Sequence, residues 1–196
     1  MKITLIGSRY FGAVTLERLL AEGFEVARVV APAADDRLAT AAQTAGLDVV
    51  ILENRMHVPA SAILEGTDLI VTAHTHARVS KEALARSRLG GIGYHPSLLP
   101  RHRGIAAVEW TIREGDPIAG GSIYHLAERM DAGPIAAQDW CFVKKGETAR
   151  ELWERALAPL GLKLIVKVLR EVRDTGKLPG WPQDEQFATK APMITD

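Results

Sequence analysis

Residues 3–32 set two hydrophobic periods back to back. Ile3–Ile6 is an unbroken apolar run. Val14, Leu16, Leu19 and Leu20 then recur at helical spacing, with Glu17, Arg18 and Glu22 between them. Gly23 ends the helical pattern, and Phe24–Val30 is a second apolar run, closed by Pro32. Parallel strands need a crossover connection, so strand, helix and strand in close succession commit the chain to an α/β sheet. The unit repeats. Asp36–Ala45 reads as a helix stopped by Gly46, and Asp48–Leu52 as a strand. Asn54–Glu65 reads as irregular or weakly helical. Asp68–His74 is a strand, apolar through its middle as one buried on both faces should be. A short helix over Ser80–Arg88, capped by Ser80, leads to Gly91–Tyr94, a strand that ends at His95. The predicted fold is a Rossmann-like, mostly parallel sheet with helices on both faces.

After a helical stretch at Ile105–Glu114 the period changes. Gly121–Ala127 and Ala136–Val143 read as two later strands, compatible with an antiparallel pair and with Asp131 in the loop between them. Thr148-Ala149-Arg150-Glu151 is a capping box that opens a helix to about Thr175, which Pro159 and Gly161 must kink or split. Gly176–Asp196 carries Pro179, Pro182 and Pro192 and reads as an extended tail. This is the mixed C-terminal extension of the sheet. No repeat or low-complexity linker divides the chain, so residues 1–196 are expected to form a single domain.

Charge and cysteine count narrow the function. Lys+Arg and Asp+Glu are both 24, for a formal net charge of zero. Phosphate neutralisation drives nucleic-acid affinity, so no nucleic-acid partner is expected. The single cysteine, Cys141, excludes an intrachain disulfide and fits a reducing compartment. No apolar run approaches a membrane span of about 20 residues. The opening Met1–Gly7 is too brief for a signal segment and reads as a buried strand. Together these place the protein in the cytoplasm.

Ligands bind outside the carboxyl ends of strands in open α/β sheets. His74, His76 and His95 all lie at such ends. The first turn, Gly7 to Gly12, is not a dinucleotide fingerprint. Its glycines either permit a tight, closely packed turn or leave the helix N-terminus free for an anionic part of a substrate. His74, His76 and His95 invite a metal reading, but no Cys or acidic residue is placed to complete the set, so no metal is expected. Ser97 lacks the surroundings of a nucleophile and reads as a turn hydroxyl bonded to backbone. Arg101, His102 and Arg103 either face an anion or form a solvated loop. His95 sits between Gly93 and Pro96, and Asp131 is followed by Ala132-Gly133-Pro134. An imidazole titrates near 6.5, and a carboxylate beside it can orient it or hold a water. We expect the two to meet.

The run His95-Pro96-Ser97-Leu98-Leu99-Pro100, then Arg103-Gly104, then Met130-Asp131-Ala132-Gly133-Pro134-Ile135, resembles the folate-dependent formyltransferases. That family includes glycinamide ribonucleotide, methionyl-tRNA and sugar formyltransferases and the hydrolase domain of 10-formyltetrahydrofolate dehydrogenase. The resemblance implies 10-formyltetrahydrofolate as formyl donor, with tetrahydrofolate as product. It implies His95 and Asp131 as the catalytic pair. It maps the folate pocket to Thr72, Ala73, His74, Thr75, His76 and Arg78, and to Met130, Ala132 and Gly133. Gly7, Ser8, Arg9, Gly93 and Arg103 are the expected acceptor contacts.

Three departures bear on the reaction. Transferases of the family generally carry Asn two residues before the His, where this chain has Gly93. Loss of an oxyanion donor typically costs two to three orders of magnitude in rate. The hydrolase domain also lacks that Asn, and it is similar to the runs 94–104 and 110–116 here, so water becomes a rival acceptor. The first turn does not resemble the phosphate-gripping loop of the glycinamide ribonucleotide enzymes. The tRNA enzymes have a further C-terminal domain, whereas this neutral chain ends at Asp196, so tRNA is not expected as acceptor. The expected reaction is formyl transfer to the amine of a small molecule, with formyl hydrolysis and a non-catalytic folate binder as alternatives. A homodimer is left open.

Overall fold

Five parallel strands take up the apolar runs of the first half. In this computed structural model residues 1–195 are described. They fall into two compact units, Met1–Gly93 and a second that begins at Tyr94. In the first unit β1 (Lys2–Gly7), α1 (Arg9–Ala21), β2 (Glu25–Ala31), α2 (Arg37–Thr44) and β3 (Asp48–Ile51) follow one another. β4 (His57–Val58), β5 (Leu69–Ala73), β6 (Arg78–Val79), α3 (Lys81–Leu84) and the first three residues of β7 (Gly91–His95) complete it. The parallel strands lie in the order β3-β2-β1-β5-β7. Every residue of β5 is buried, as its unbroken apolar sequence requires of a central parallel strand.

Two stretches differ from the reading above. Residues 54–65 hold β4, which pairs in parallel with β6, and a turn of 3-10 helix at Ala60–Ala62. Strands of two residues carry too little periodicity to be seen in a sequence. The helix after Ser80 spans only Lys81–Leu84, although Ser80 caps it as expected, its Oγ accepting from the Ala83 N–H at 3.0 Å.

The second unit carries His95 at its start. It contains α4 (Ala107–Arg113), β8 (Ile118–His125), β9 (Ile135–Phe142), α5 (Ala149–Leu152) and α6 (Ala158–Thr175). β8 and β9 are antiparallel, with a register shift between Ile123 and Tyr124. The capping box at Thr148 and Glu151 is formed. The interruption expected at Pro159 is a π-helical turn, Trp153–Leu157, between α5 and α6. Proline has no N–H to give the preceding turn, and a π turn absorbs that loss. The part-buried Tyr94 hydroxyl donates to the Leu157 carbonyl at 2.7 Å, which satisfies an acceptor at the junction.

The tail is extended and held by backbone bonds. Trp181 and Ile135 exchange two hydrogen bonds, at 2.8 and 3.0 Å. The Arg103 N–H donates to Thr189 at 3.0 Å, and the Ala191 N–H donates to Arg103 at 2.7 Å.

Candidate active site

His95 ends β7 and is 6% exposed. Its Nε2 lies 2.8 Å from the His102 carbonyl oxygen. A carbonyl only accepts, so Nε2 carries the hydrogen and Nδ1 is the nitrogen left for chemistry. Nδ1 faces Asp131 Oδ2 at 3.6 Å, beyond hydrogen-bond length and close enough for both to contact a common third atom. Asp131 is 7% exposed and sits in the left-handed region, at φ 52°. Its Oδ2 accepts the Gly104 N–H at 2.9 Å. Gly104 has φ 125°, and a Cβ there would stand 2.6 Å from the Ala191 carbonyl oxygen. The tail therefore demands glycine at the position whose N–H orients the carboxylate.

Tyr124 stands beside the pair. Its ring meets the His95 ring edge-on at 6.3 Å, and its hydroxyl lies in the field of the Asp131 carboxylate. Burial, then the neighbouring Asp131 carboxylate, push its pKa well above the usual phenol value, so the hydroxyl stays protonated. The strand bulge falls immediately before Tyr124, and bulges re-aim side chains at such places.

The turn between His95 and Gly104 is fixed from inside. Ser97 Oγ donates to the Arg101 carbonyl at 2.6 Å, the backbone role expected for it. Ser122 Oγ accepts the Leu99 N–H at 3.0 Å and donates to the Ser97 carbonyl at 2.7 Å. His102, 2% exposed, has φ 55°; its N–H donates to Thr189 Oγ1 at 2.8 Å and its Nε2 pairs with Asp116 Oδ2 at 2.7 Å. Among the described residues, His102, Glu114 and Asp116 bring ligand-type atoms within 4.8 Å of one another. The Arg101 guanidinium already bridges both carboxylates, at 2.7 and 3.3 Å. A cation would have to displace it, so the group reads as a salt-bridge network.

The remaining predicted residues are placed as follows. Arg103 Nε and Nη2 reach Gln183 Oε1 at 3.1 and 2.6 Å, and Nη1 and Nη2 reach Glu185 at 3.0 and 2.8 Å. Its guanidinium is thus engaged within the chain. Met130 is exposed, whereas Gly133 is buried. In the first unit, Gly7, Ser8 and Arg9 line a cavity of about 400 Å³ together with Arg55, Thr75 and His76. A Cβ on Gly7 would collide with the Ala73 carbonyl, so close packing explains that glycine. Asp36 accepts the Arg9 N–H through both carboxylate oxygens, at 3.1 and 3.0 Å. At the N-terminus of α1 the chain's own carboxylate therefore stands where an anionic ligand group would bind. Thr72 is buried and Arg78 exposed. His74 has φ 56° and a buried Nε2 with no hydrogen-bond partner; its ring meets that of His76 edge-on at 5.7 Å. Burial, then the charge of Arg9, lowers its pKa and keeps it neutral.

Comparison with known proteins decides the family. Residues 57–169 match the formyl transferase family model. The chain belongs to the formyl transferase family. It is 36% identical to the mitochondrial 10-formyltetrahydrofolate dehydrogenase of Mus musculus over 96% of its own length and 22% of that protein's. It is 31% identical to the methionyl-tRNA formyltransferase of Thermotoga maritima, over 99% of this chain and 65% of that one. The chain thus spans about a fifth of the dehydrogenases it matches. Phosphoribosylglycinamide formyltransferase from Bacillus halodurans superposes with a TM-score of 0.77 at 20% identity, over 90% of this chain and 97% of that one. An N-formyltransferase from Helicobacter canadensis, in complex with folinic acid and dTDP-3-aminofucose, gives 0.77 at 16% identity, over 98% and 71%. These likenesses establish the α/β formyl transferase fold, and the chain's relatives are enzymes. Among the described residues no helix is long and apolar enough to cross a membrane.

Sequence reasoning missed two residues of this site and the role of a third. Tyr124 reads as one more strand residue, because the bulge that turns it leaves no mark in the pattern. His102 contributes a backbone carbonyl, which no side-chain motif can reveal. Gln183 lies in the tail, whose register on the two loops is set by backbone pairing.

Proposed function

We propose that this chain transfers the formyl group of 10-formyltetrahydrofolate to an amine of a small-molecule acceptor, with His95 and Asp131 as the catalytic pair. The observation that carries the reading is the fixed tautomer of His95. Its Nε2–H is spent on the His102 carbonyl, which leaves Nδ1 and the Asp131 carboxylate facing each other across 3.6 Å. A formyl group on nitrogen is a weak electrophile. As the amine adds, negative charge grows on the formyl oxygen and the amine must lose a proton. In the imidazolium form His95 keeps Nε2–H on the His102 carbonyl and offers an Nδ1–H to that oxygen, while Asp131 takes the amine proton directly or through a water. The new C–N bond forms, the bond from carbon to N10 breaks, and N10 receives the proton. The folate donor is supported by relatives named for 10-formyltetrahydrofolate. The family match runs through the boundary between the two units, which supports residues 1–196 acting as one catalytic domain. The single cysteine fits a cytoplasmic setting.

Gly93 favours a second reading, hydrolysis to formate, because it offers no side-chain amide to the oxyanion. One experiment separates the two. The protein is incubated with 10-formyltetrahydrofolate, with and without a panel of amines, and tetrahydrofolate and formate are both measured. Transfer gives tetrahydrofolate only with an amine present; hydrolysis gives equal formate and tetrahydrofolate without one. His95→Ala and Asp131→Asn are each expected to lower turnover about 10²- to 10⁴-fold. Full turnover in both variants would sink the assignment of the pair.

A further inference from the structure

Gln183 is the point where the tail joins the two loops that carry His95 and Asp131. Its Nε2 donates to the Asp131 carbonyl at 2.8 Å and to the Gly133 carbonyl at 2.7 Å. Its Oε1 accepts from Arg103 Nη2 at 2.6 Å and Nε at 3.1 Å. Two donors and two acceptor sites are all a primary amide has, so every one is used. Turning the amide over would set its NH2 against a guanidinium and its oxygen against two carbonyls, so only one orientation serves. On one side the amide reaches Arg103, the neighbour of Gly104, whose N–H holds the Asp131 carboxylate. On the other it ties down the peptides of Asp131 and Gly133.

Asp131 needs such a restraint. At φ 52° it occupies a region that costs a non-glycine residue free energy and persists only where its surroundings impose it. Relaxation of that turn would carry the carboxylate away from His95 Nδ1. The flanking pairs, Trp181 with Ile135 and Thr189 with Arg103, set the register that delivers Gln183 to this spot. Gln183 itself has no bond to the Asp131 carboxylate or to His95.

We infer that Gln183 is a positioning residue: through the Asp131 and Gly133 carbonyls and Arg103 it sets the distance between the Asp131 carboxylate and His95 Nδ1. This rests on the reading of His95 and Asp131 as the reacting pair. Misplacement by about 1 Å can cost about 10²-fold in rate. Gln183→Ala is therefore expected to lower kcat about ten- to hundredfold while KM for 10-formyltetrahydrofolate stays within about twofold. Gln183→Glu keeps the shape but sets a carboxylate against two carbonyls, and is expected to lose at least as much. Gln183 is only partly buried, so both variants should fold; Gln183→Met, similar in shape, replaces either that does not.

The deciding measurement needs no turnover. In protein labelled with 15N-histidine, the Nδ1 resonance of His95 is compared among wild type, Gln183→Ala and Asp131→Asn at one pH. The inference requires Gln183→Ala to move the resonance toward its Asp131→Asn value. A Gln183→Ala resonance that coincides with wild type overturns it, as does a kcat held at wild-type level. Absence of formyl turnover in the wild type would count against the proposed function and leave the resonance comparison standing.

Discussion

At the scale of single residues, the site is a small set of donors aimed at one carboxylate. The Gly104 N–H serves Asp131 Oδ2, the same oxygen that faces His95 Nδ1 across 3.6 Å, and the Tyr124 hydroxyl lies in the field of that carboxylate. Tyr124 is thus expected to hold Asp131 rather than to react. A hydrogen bond to a charged group is worth about 1.5–3 kcal/mol, so if the Tyr124 hydroxyl donates to Asp131 in the transition state, Tyr124→Phe should lower kcat by at least about tenfold. An unchanged kcat would remove Tyr124 from the site. The phenol can also be read directly. Burial raises Tyr94 as well as Tyr124 well above the ordinary range. Of the three tyrosines, the folded protein should titrate two fewer near pH 10 than the urea-unfolded chain, by tyrosinate absorbance. The meeting of His95 with Asp131 and the backbone role of Ser97 were legible in the sequence because each residue lies in a short local motif. Tyr124, the His102 carbonyl and Gln183 were not, because a bulge, a left-handed backbone and a long-range strand register place them. Those are tertiary facts with no local signature.

At the scale of elements, helix ends and apolar periods were the legible part. Gly23, Gly46 and Gly176 stand in the left-handed region just after α1, α2 and α6, and the capping box formed at Thr148. The interruption before Pro159 was also legible, though its form as a π turn was not. Asp36 shows what such patterns leave out. It caps α2, its Oδ1 accepting the Leu38 N–H at 2.8 Å, and it also occupies the Arg9 N–H of α1. A sequence pattern shows the first role; the second needs the two helix ends side by side. Losing an N-cap typically costs about 0.5–2 kcal/mol, and Asp36→Ala should cost an amount in the upper part of that range because two helix ends depend on it. It should also open the α1 terminus to anions. Inorganic phosphate should then raise the melting temperature of Asp36→Ala more than that of wild type, against chloride at equal ionic strength. Equal shifts would mean that Asp36 does not bar anions from this helix end.

At the scale of the whole molecule, the question is whether Met1–Gly93 and the unit from Tyr94 unfold together. His74 offers a handle on the first unit. Burial, then Arg9 and His76, depress its pKa below the ordinary 6.5. The unfolded chain therefore binds this proton more readily than the folded one. The stability from the neutral ring is fully present above about pH 6.5 and is lost as pH falls through the lower folded value. His74→Asn removes the titration and tolerates φ 56°, since Asn enters the left-handed region more readily than most residues. The four tryptophans, Trp110, Trp140, Trp153 and Trp181, all belong to the second unit. If residues 1–196 fold as one domain, His74→Asn should flatten the loss of stability below pH 6.5 as seen by tryptophan fluorescence in urea. Far-UV circular dichroism should give the same midpoints. If circular dichroism responds to the substitution and fluorescence does not, the two units unfold separately. A single cooperative domain would then be the wrong description, even though His95 and Asp131, the proposed catalytic pair, both lie in the second unit.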